Sequence, residues 1–191
     1  MTRLLMIAWI FCLSLCGQVG FPVTFAIGDA SQFGYKQPNF SFNVGIEDQH
    51  EKFWYHIWNN YNATNKISYG NVTQESLRGR VYVKNDVGFF AGGGWNHRNI
   101  RFHDYKESYW TYGPVVSAGW MQNGFRFRIE APIYEHDVRY DLRGVSWEII
   151  YDIDGRVRLG LVQEAYKIYN RSNGQNLGLN FRSDFVIGYI F

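Results

Sequence analysis

The chain has 191 residues, which suits a single domain, and a formal net charge of +2, too small to suggest a nucleic-acid partner. Aromatic residues make up 19% and there are 20 glycines. The mean hydropathy of −0.30 excludes a bundle of membrane helices. It does not exclude a barrel, because lipid-facing and interior residues alternate along a strand and cancel in any average.

The first residues read as an export leader. Arg3 supplies a positive charge and Leu4 to Leu15 an apolar stretch too short to span a bilayer. Small residues at Ala26, Gly28 and Ala30 place the cleavage within 26–30, so 1–28 reads as signal peptide and 29–38 as a periplasmic segment. Both cysteines, Cys12 and Cys16, fall inside the leader, which leaves the mature chain without a disulfide scaffold or a cysteine-bound metal.

From residue 39 to 191 the sequence alternates with period two, the signature of strands whose two faces meet different surroundings. Asn39 to Glu47 sets Phe40, Phe42, Val44 and Ile46 against Ser41, Asn43, Gly45 and Glu47. Similar runs follow at 77–84, 87–95, 110–120, 125–133, 145–151 and 157–164. The eighth, Phe181 to Phe191, sets Phe181, Phe185, Ile187, Tyr189 and Phe191 against Arg182 and Asp184, and puts an aromatic at the last position.

Connections alternate in length. Asn85-Asp86, Gln122-Asn123-Gly124 and Asp154-Gly155 are tight-turn sequences, whereas 49–75, 96–109, 134–144 and 166–178 read as long loops. In an up-and-down barrel this gathers the short turns at one end and the loops at the other, the asymmetry of transmembrane barrels. The expected fold is therefore all-β: an eight-stranded antiparallel up-and-down transmembrane β-barrel with both termini on the short-turn, periplasmic side.

The second face of these strands would line the barrel. It carries Arg78, Arg80, Arg126, Arg128, Arg158 and Arg182 with Glu130, Glu148, Glu164 and Asp184. Charges confined to so narrow an interior must pair, so these ten residues are expected to form an ion-pair network that plugs the lumen. The alternative is a narrow path lined with arginine. In the long loop 49–75, Trp54, Tyr55 and Trp58 stand among asparagines and are candidates for contact with an external protein or glycan.

The chain resembles small bacterial outer-membrane barrels of the OmpA, OmpX and opacity-protein type. The resemblance is one of architecture over nearly the whole mature chain, and no functional motif is matched. It implies a place in the bacterial outer membrane, among its lipid and lipopolysaccharide. It also implies a role for Tyr189 and Phe191 in recognition by the barrel-assembly machinery, and a scaffold that displays loops for adhesion, binding or envelope integrity. Enzymes acting on lipid A also use small barrels. The palmitoyl-transferring family is similar in size, aromatic content and terminal Phe, but its expected Asp-Ser pair occurs nowhere here. The deacylating family's His and Ser two residues apart are also missing. A rearranged pair of His50 or His103 with Ser108 keeps the enzyme alternative open, but no catalytic, metal or cofactor residue is assigned.

Overall fold

A computed structural model of the chain describes residues 18–32, 35–49, 52–64, 72–102, 107–133, 135–136 and 140–191. Twelve strands follow in order: β1 Gln18–Gly20, β2 Pro22–Gln32, β3 Tyr35–Gln49, β4 Phe53–Thr64, β5 Val72–Lys84 and β6 Phe89–Phe102, then β7 Glu107–Gln122, β8 Phe125–Pro132, β9 Glu135–His136, β10 Tyr140–Ile153, β11 Val157–Asn170 and β12 Asn176–Ile190. Ten of them form one closed antiparallel ring, β3-β2-β12-β11-β10-β8-β7-β6-β5-β4, with β4 returning to β3. The two short strands are not additional staves. β1 lies on β3 in the register that β2 also follows, Gln18 opposite Gln49 as Val23 is opposite Val44, and β9 extends β8 after an interruption.

The expected all-β, antiparallel, up-and-down barrel is present, but with ten strands in the ring instead of eight. The two unanticipated staves are β2, in residues read as the end of the leader and a periplasmic segment, and β4, in residues read as an external loop. Trp54, Tyr55 and Trp58 therefore stand in the barrel wall. Their loop assignment is corrected for a physical reason. β4 carries aromatic rings on both sides, Trp54 and Trp58 inward and Phe53 and Tyr61 outward with Asn59 among them, so it lacks the apolar-against-charged alternation that marks the other strands.

The connections still alternate. At one end β3 gives way to β4, and the turns at 85–88, 123–124 and 154–156 lie there; at the other β2 gives way to β3, β4 to β5 and β6 to β7, and 171–175 joins β11 to β12. Asn123 and Gly124 have φ of 50° and 79°, and Asp154 and Gly155 have 51° and 67°. Two successive left-handed residues match the twist of the flanking strands, which is why Asn-Gly and Asp-Gly occupy these hairpins. The strands run further than the alternation suggested: β6 reaches Phe102 and β11 reaches Asn170, so much of each expected long loop is paired sheet.

Following partners around the ring gives its geometry. Gln18 leads to Gln49, Trp54, Tyr82, Gly92, Ser117, Glu130, Ser146, Glu164, Arg182 and back to Ala30, so one circuit advances from position 18 to position 30. That stagger, spread over ten strands, tilts them about 40° and sets a radius of about 10 Å. Such an interior needs long side chains to fill it.

The two surfaces of the wall differ sharply. Val81, Phe89, Ile27 and Phe185 each leave more than half of their surface open on the outside. Arg80, Arg158, Glu164 and Asp184 are buried on the inside. The barrel is thus apolar outside and ionic within.

Candidate functional site

The lumen holds three layers of polar side chains. Alternation along each strand puts them there, because every second residue of a closed barrel points inward.

The layer nearest the short turns is centred on Glu47 of β3. Its Oε1 accepts from Arg126 Nη1 at 2.8 Å, Trp54 Nε1 at 3.0 Å and Gln49 Nε2 at 3.2 Å. Its Oε2 accepts from Arg158 Nη1 at 3.0 Å. Arg158 also grips both oxygens of Asp152, at 2.7 and 2.8 Å. Arg126 Nε donates to Glu148 Oε1 at 3.0 Å, and Arg128 Nη2 to Glu148 Oε2 at 2.8 Å. Arg128 Nη1 then donates to the Tyr82 hydroxyl at 2.7 Å and lies 3.1 Å from His56 Nε2.

An aromatic block packs beside these charges. Trp54 stacks on Tyr82 with ring centres 4.3 Å apart, and Phe90 meets Trp54 edge-on at 5.2 Å. Arg126 lies 4.8 Å from the Trp54 ring and Arg158 5.5 Å from the Trp58 ring, close enough for cation–π attraction.

In the middle layer Arg80 holds Glu130 through two bonds of 2.7 and 2.5 Å. Asn96 and Ser117 complete the pair at 2.5 and 3.1 Å. In the layer towards the longer connections, Glu164 takes Arg78 at 2.8 Å and Arg182 at 3.5 Å. Arg182 also bonds Asp184 and Ser41 Oγ, and Asn39 Nδ2 donates to both oxygens of Asp184 at 2.8 and 3.1 Å. Arg98 donates to the Tyr166 hydroxyl at 2.8 Å and sits 4.4 Å from that ring's centre.

All ten charges anticipated for the interior face the lumen, and each takes part in at least one of these contacts. Along the described wall, the guanidinium groups of Arg78, Arg80, Arg126, Arg128, Arg158 and Arg182 meet the carboxylates of Glu47, Glu130, Glu148, Asp152, Glu164 and Asp184, and Arg98 adds a seventh guanidinium, bonded to the Tyr166 hydroxyl. That is seven against six.

Sequence reasoning put Glu47 on the inward face without singling it out as a hub, and it missed Trp54, Trp58, Arg98, Asn39 and Tyr166 as lumen residues. Arg98 was legible in principle, since it continues the alternation of Gly94 and Asn96. Trp54 and Trp58 gave no such signal, because a large aromatic ring normally marks the lipid side.

Between the layers lies a cavity of about 80 Å³, lined among others by His56, Asn60, Arg78, Arg126, Arg128, Arg158, Arg182 and Val162. At the short-turn end the barrel opens into a mouth of about 880 Å³, where Lys84, Arg156 and Asp154 join Arg126 and Arg158. Phe191 lines the rim of this mouth, its ring 4.9 Å from that of Tyr189. His97 is on the outer wall against Trp110 at 4.9 Å. His50, His103 and the Ser108 side chain, the residues of the conceivable nucleophile–base pair, lie outside the described residues.

No protein-family profile matches the sequence, and no curated protein is similar to it in sequence. The fold is similar to that of Neisserial surface protein A, at 10% identity and a TM-score of 0.45, covering 90% of this chain and 94% of that one. It is also similar to the NanC porin, at 10% identity and a TM-score of 0.44 over 87% and 98%. A third likeness is to the outer membrane protease OmpT from Escherichia coli, at 10% identity and a TM-score of 0.42 over 91% and 94%. These likenesses concern the fold alone.

Proposed function

We propose that this chain is an integral barrel of the bacterial outer membrane, a non-catalytic scaffold whose packed lumen supports the connections displayed at its far end. One observation carries this reading. Large apolar residues cover the outer wall, while arginine–carboxylate pairs fill the interior. In water this arrangement would be inside out. In a bilayer it satisfies both surfaces, and closure of the ring leaves no unpaired strand edge. A fourteen-residue strand such as Val157–Asn170, tilted about 40°, rises roughly 35 Å, more than the apolar band of ~25 Å that such barrels present.

The ion-pair layers support a sealed barrel. Arg126, Arg158 and Glu47 cross the lumen just inside the mouth, with Trp54 against them. The proposed orientation puts both termini on the periplasmic side with the short turns, and the longer connections outward. The proposed partners are outer-membrane lipid and lipopolysaccharide around the wall, the barrel-assembly machinery at Tyr189 and Phe191, and an external protein or glycan at the exposed end.

Envelope fractionation tests the reading. The full chain should remain with the outer membrane after an alkaline carbonate wash, and its electrophoretic mobility should shift on boiling. In planar bilayers it should show no steady conductance. Recovery in the soluble periplasmic fraction would overturn the proposal.

A further inference from the structure

We infer that the cavity inside the barrel is a binding site for one small free oxyanion, reached from the short-turn mouth. The cavity wall is unbalanced: five arginine side chains line it against two carboxylates, Glu148 and Glu164. Two of those arginines keep hydrogen-bonding capacity in reserve. Arg126 spends Nε on Glu148 and Nη1 on Glu47, which leaves Nη2 without a partner among the described residues. Arg78 spends Nη2 on Glu164, which leaves Nη1 and the buried Nε in the same state. Buried guanidinium N–H groups seek an acceptor, and an oxyanion offers several in the planar spacing a guanidinium prefers.

Space and access agree with this chemistry. A water needs about 10–15 Å³ of such volume, so about 80 Å³ admits an ion of phosphate or sulfate size but not a bulky organic acid. Arg126 and Arg158 border the cavity and the mouth alike, so the single layer they form with Glu47 separates the two and its side chains must part for the ion to enter. A headgroup tethered to a membrane lipid cannot follow that route, because the closed sheet lies between the outer wall and the cavity. The anion would offset the lumen's guanidinium excess and tie β5 to β8 through Arg78 and Arg126.

The test uses the full chain, folded in detergent, with inorganic phosphate as probe. Equilibrium dialysis with radiolabelled phosphate should show saturable uptake of one ion per chain. The thermal unfolding midpoint should rise by roughly 5–10 °C at phosphate one hundred times its dissociation constant. Chloride at matched ionic strength should not reproduce the rise. Two variants probe the site by different means. Arg78→Met removes a donor but leaves Glu164 paired with Arg182, and Val162→Phe fills the cavity without touching any charge. Both should lose phosphate uptake while keeping the mobility shift of a folded barrel. Absence of saturable uptake overturns the proposal, as does unchanged uptake in a folded Val162→Phe variant or equal protection by chloride.

Discussion

Phe21 and Phe191 exchange backbone hydrogen bonds, Phe21 N to Phe191 O at 3.1 Å and Phe191 N to Phe21 O at 3.3 Å. This pair fastens the first stave of the ring to the last at the short-turn end, and β2 and β12 stay in register from there to Ser31 and Phe181. A leader cut within 26–30 would discard that pair together with Thr24, whose hydroxyl accepts from Asn43 Nδ2 at 2.9 Å in the lumen. It would leave β12 and β3 each with half an edge unpaired, a costly arrangement in hydrocarbon. The mature N-terminus is therefore expected upstream of Phe21. Intact-mass measurement of the protein purified from envelopes checks this, and a mature chain beginning between 27 and 31 would refute the ring closure described above.

Glu47 is the single carboxylate shared by Arg126, Arg158 and Trp54. Replacing it with Gln removes the charge these two guanidinium groups share but leaves Arg126 on Glu148 and Arg158 on Asp152, so the loss should fall below that of a buried pair broken outright, at about 1–3 kcal/mol. Arg171 offers the contrast. It pairs with Asp141 at 3.4 Å on the surface, with both side chains about a third exposed or more, and Arg171→Ala should cost at most about 1 kcal/mol. Guanidinium unfolding in detergent, followed by tryptophan fluorescence, should separate the two variants. Equal stability would mean that the Glu47 layer contributes little to the barrel.

Gly79 and Gly94 are neighbours across β5 and β6 but differ in what a methyl group would meet. A Cβ at Gly94 would fall 1.8 Å from the carbonyl oxygen of Gly79, whereas a Cβ at Gly79 has nothing within 4 Å. Gly94→Ala must shift backbone, with a destabilisation of about 1–3 kcal/mol. Gly79→Ala should be neutral or stabilising by up to about 1 kcal/mol, since it reduces the freedom of the unfolded chain. The temperature at which the folded band disappears on unboiled gels ranks the two, and the opposite order would contradict the close approach of these strands.

The period-two pattern disclosed eight staves because their lipid sides are uniformly apolar and their lumen sides charged or small. Phe181–Phe191 is the clearest, with Phe185 and Ile187 outward and Arg182 and Asp184 inward. β2 was obscured by position. Val23, Phe25 and Ile27 alternate with Thr24, Ala26 and Gly28, but they follow an apolar leader closely, and small residues look like a cleavage site. β4 was obscured by chemistry: the lumen needs bulk where Trp54 stacks on Tyr82, so the usual assignment of aromatics to lipid fails there. The network's membership could be read from alternation. Its wiring could not, because contacts such as Arg158 with Glu47 join staves far apart in sequence and depend on the stagger of the whole ring.

Val81 and Val87 provide a direct test of the surrounding medium. They are 60% and 61% exposed, so in water a substitution at either should have the same small effect. They differ in position: Val81 lies within β5, on the outer wall, and Val87 in the turn before β6. In a bilayer an arginine on the lipid face costs about 2–4 kcal/mol near the midplane and about 0–1 kcal/mol near an interface. Val81→Arg should therefore lower stability and membrane yield markedly, while Val87→Arg should leave both nearly unchanged. Reversible unfolding into lipid vesicles measures the difference. If the two variants lose the same stability, the outer wall does not face hydrocarbon and the membrane reading fails.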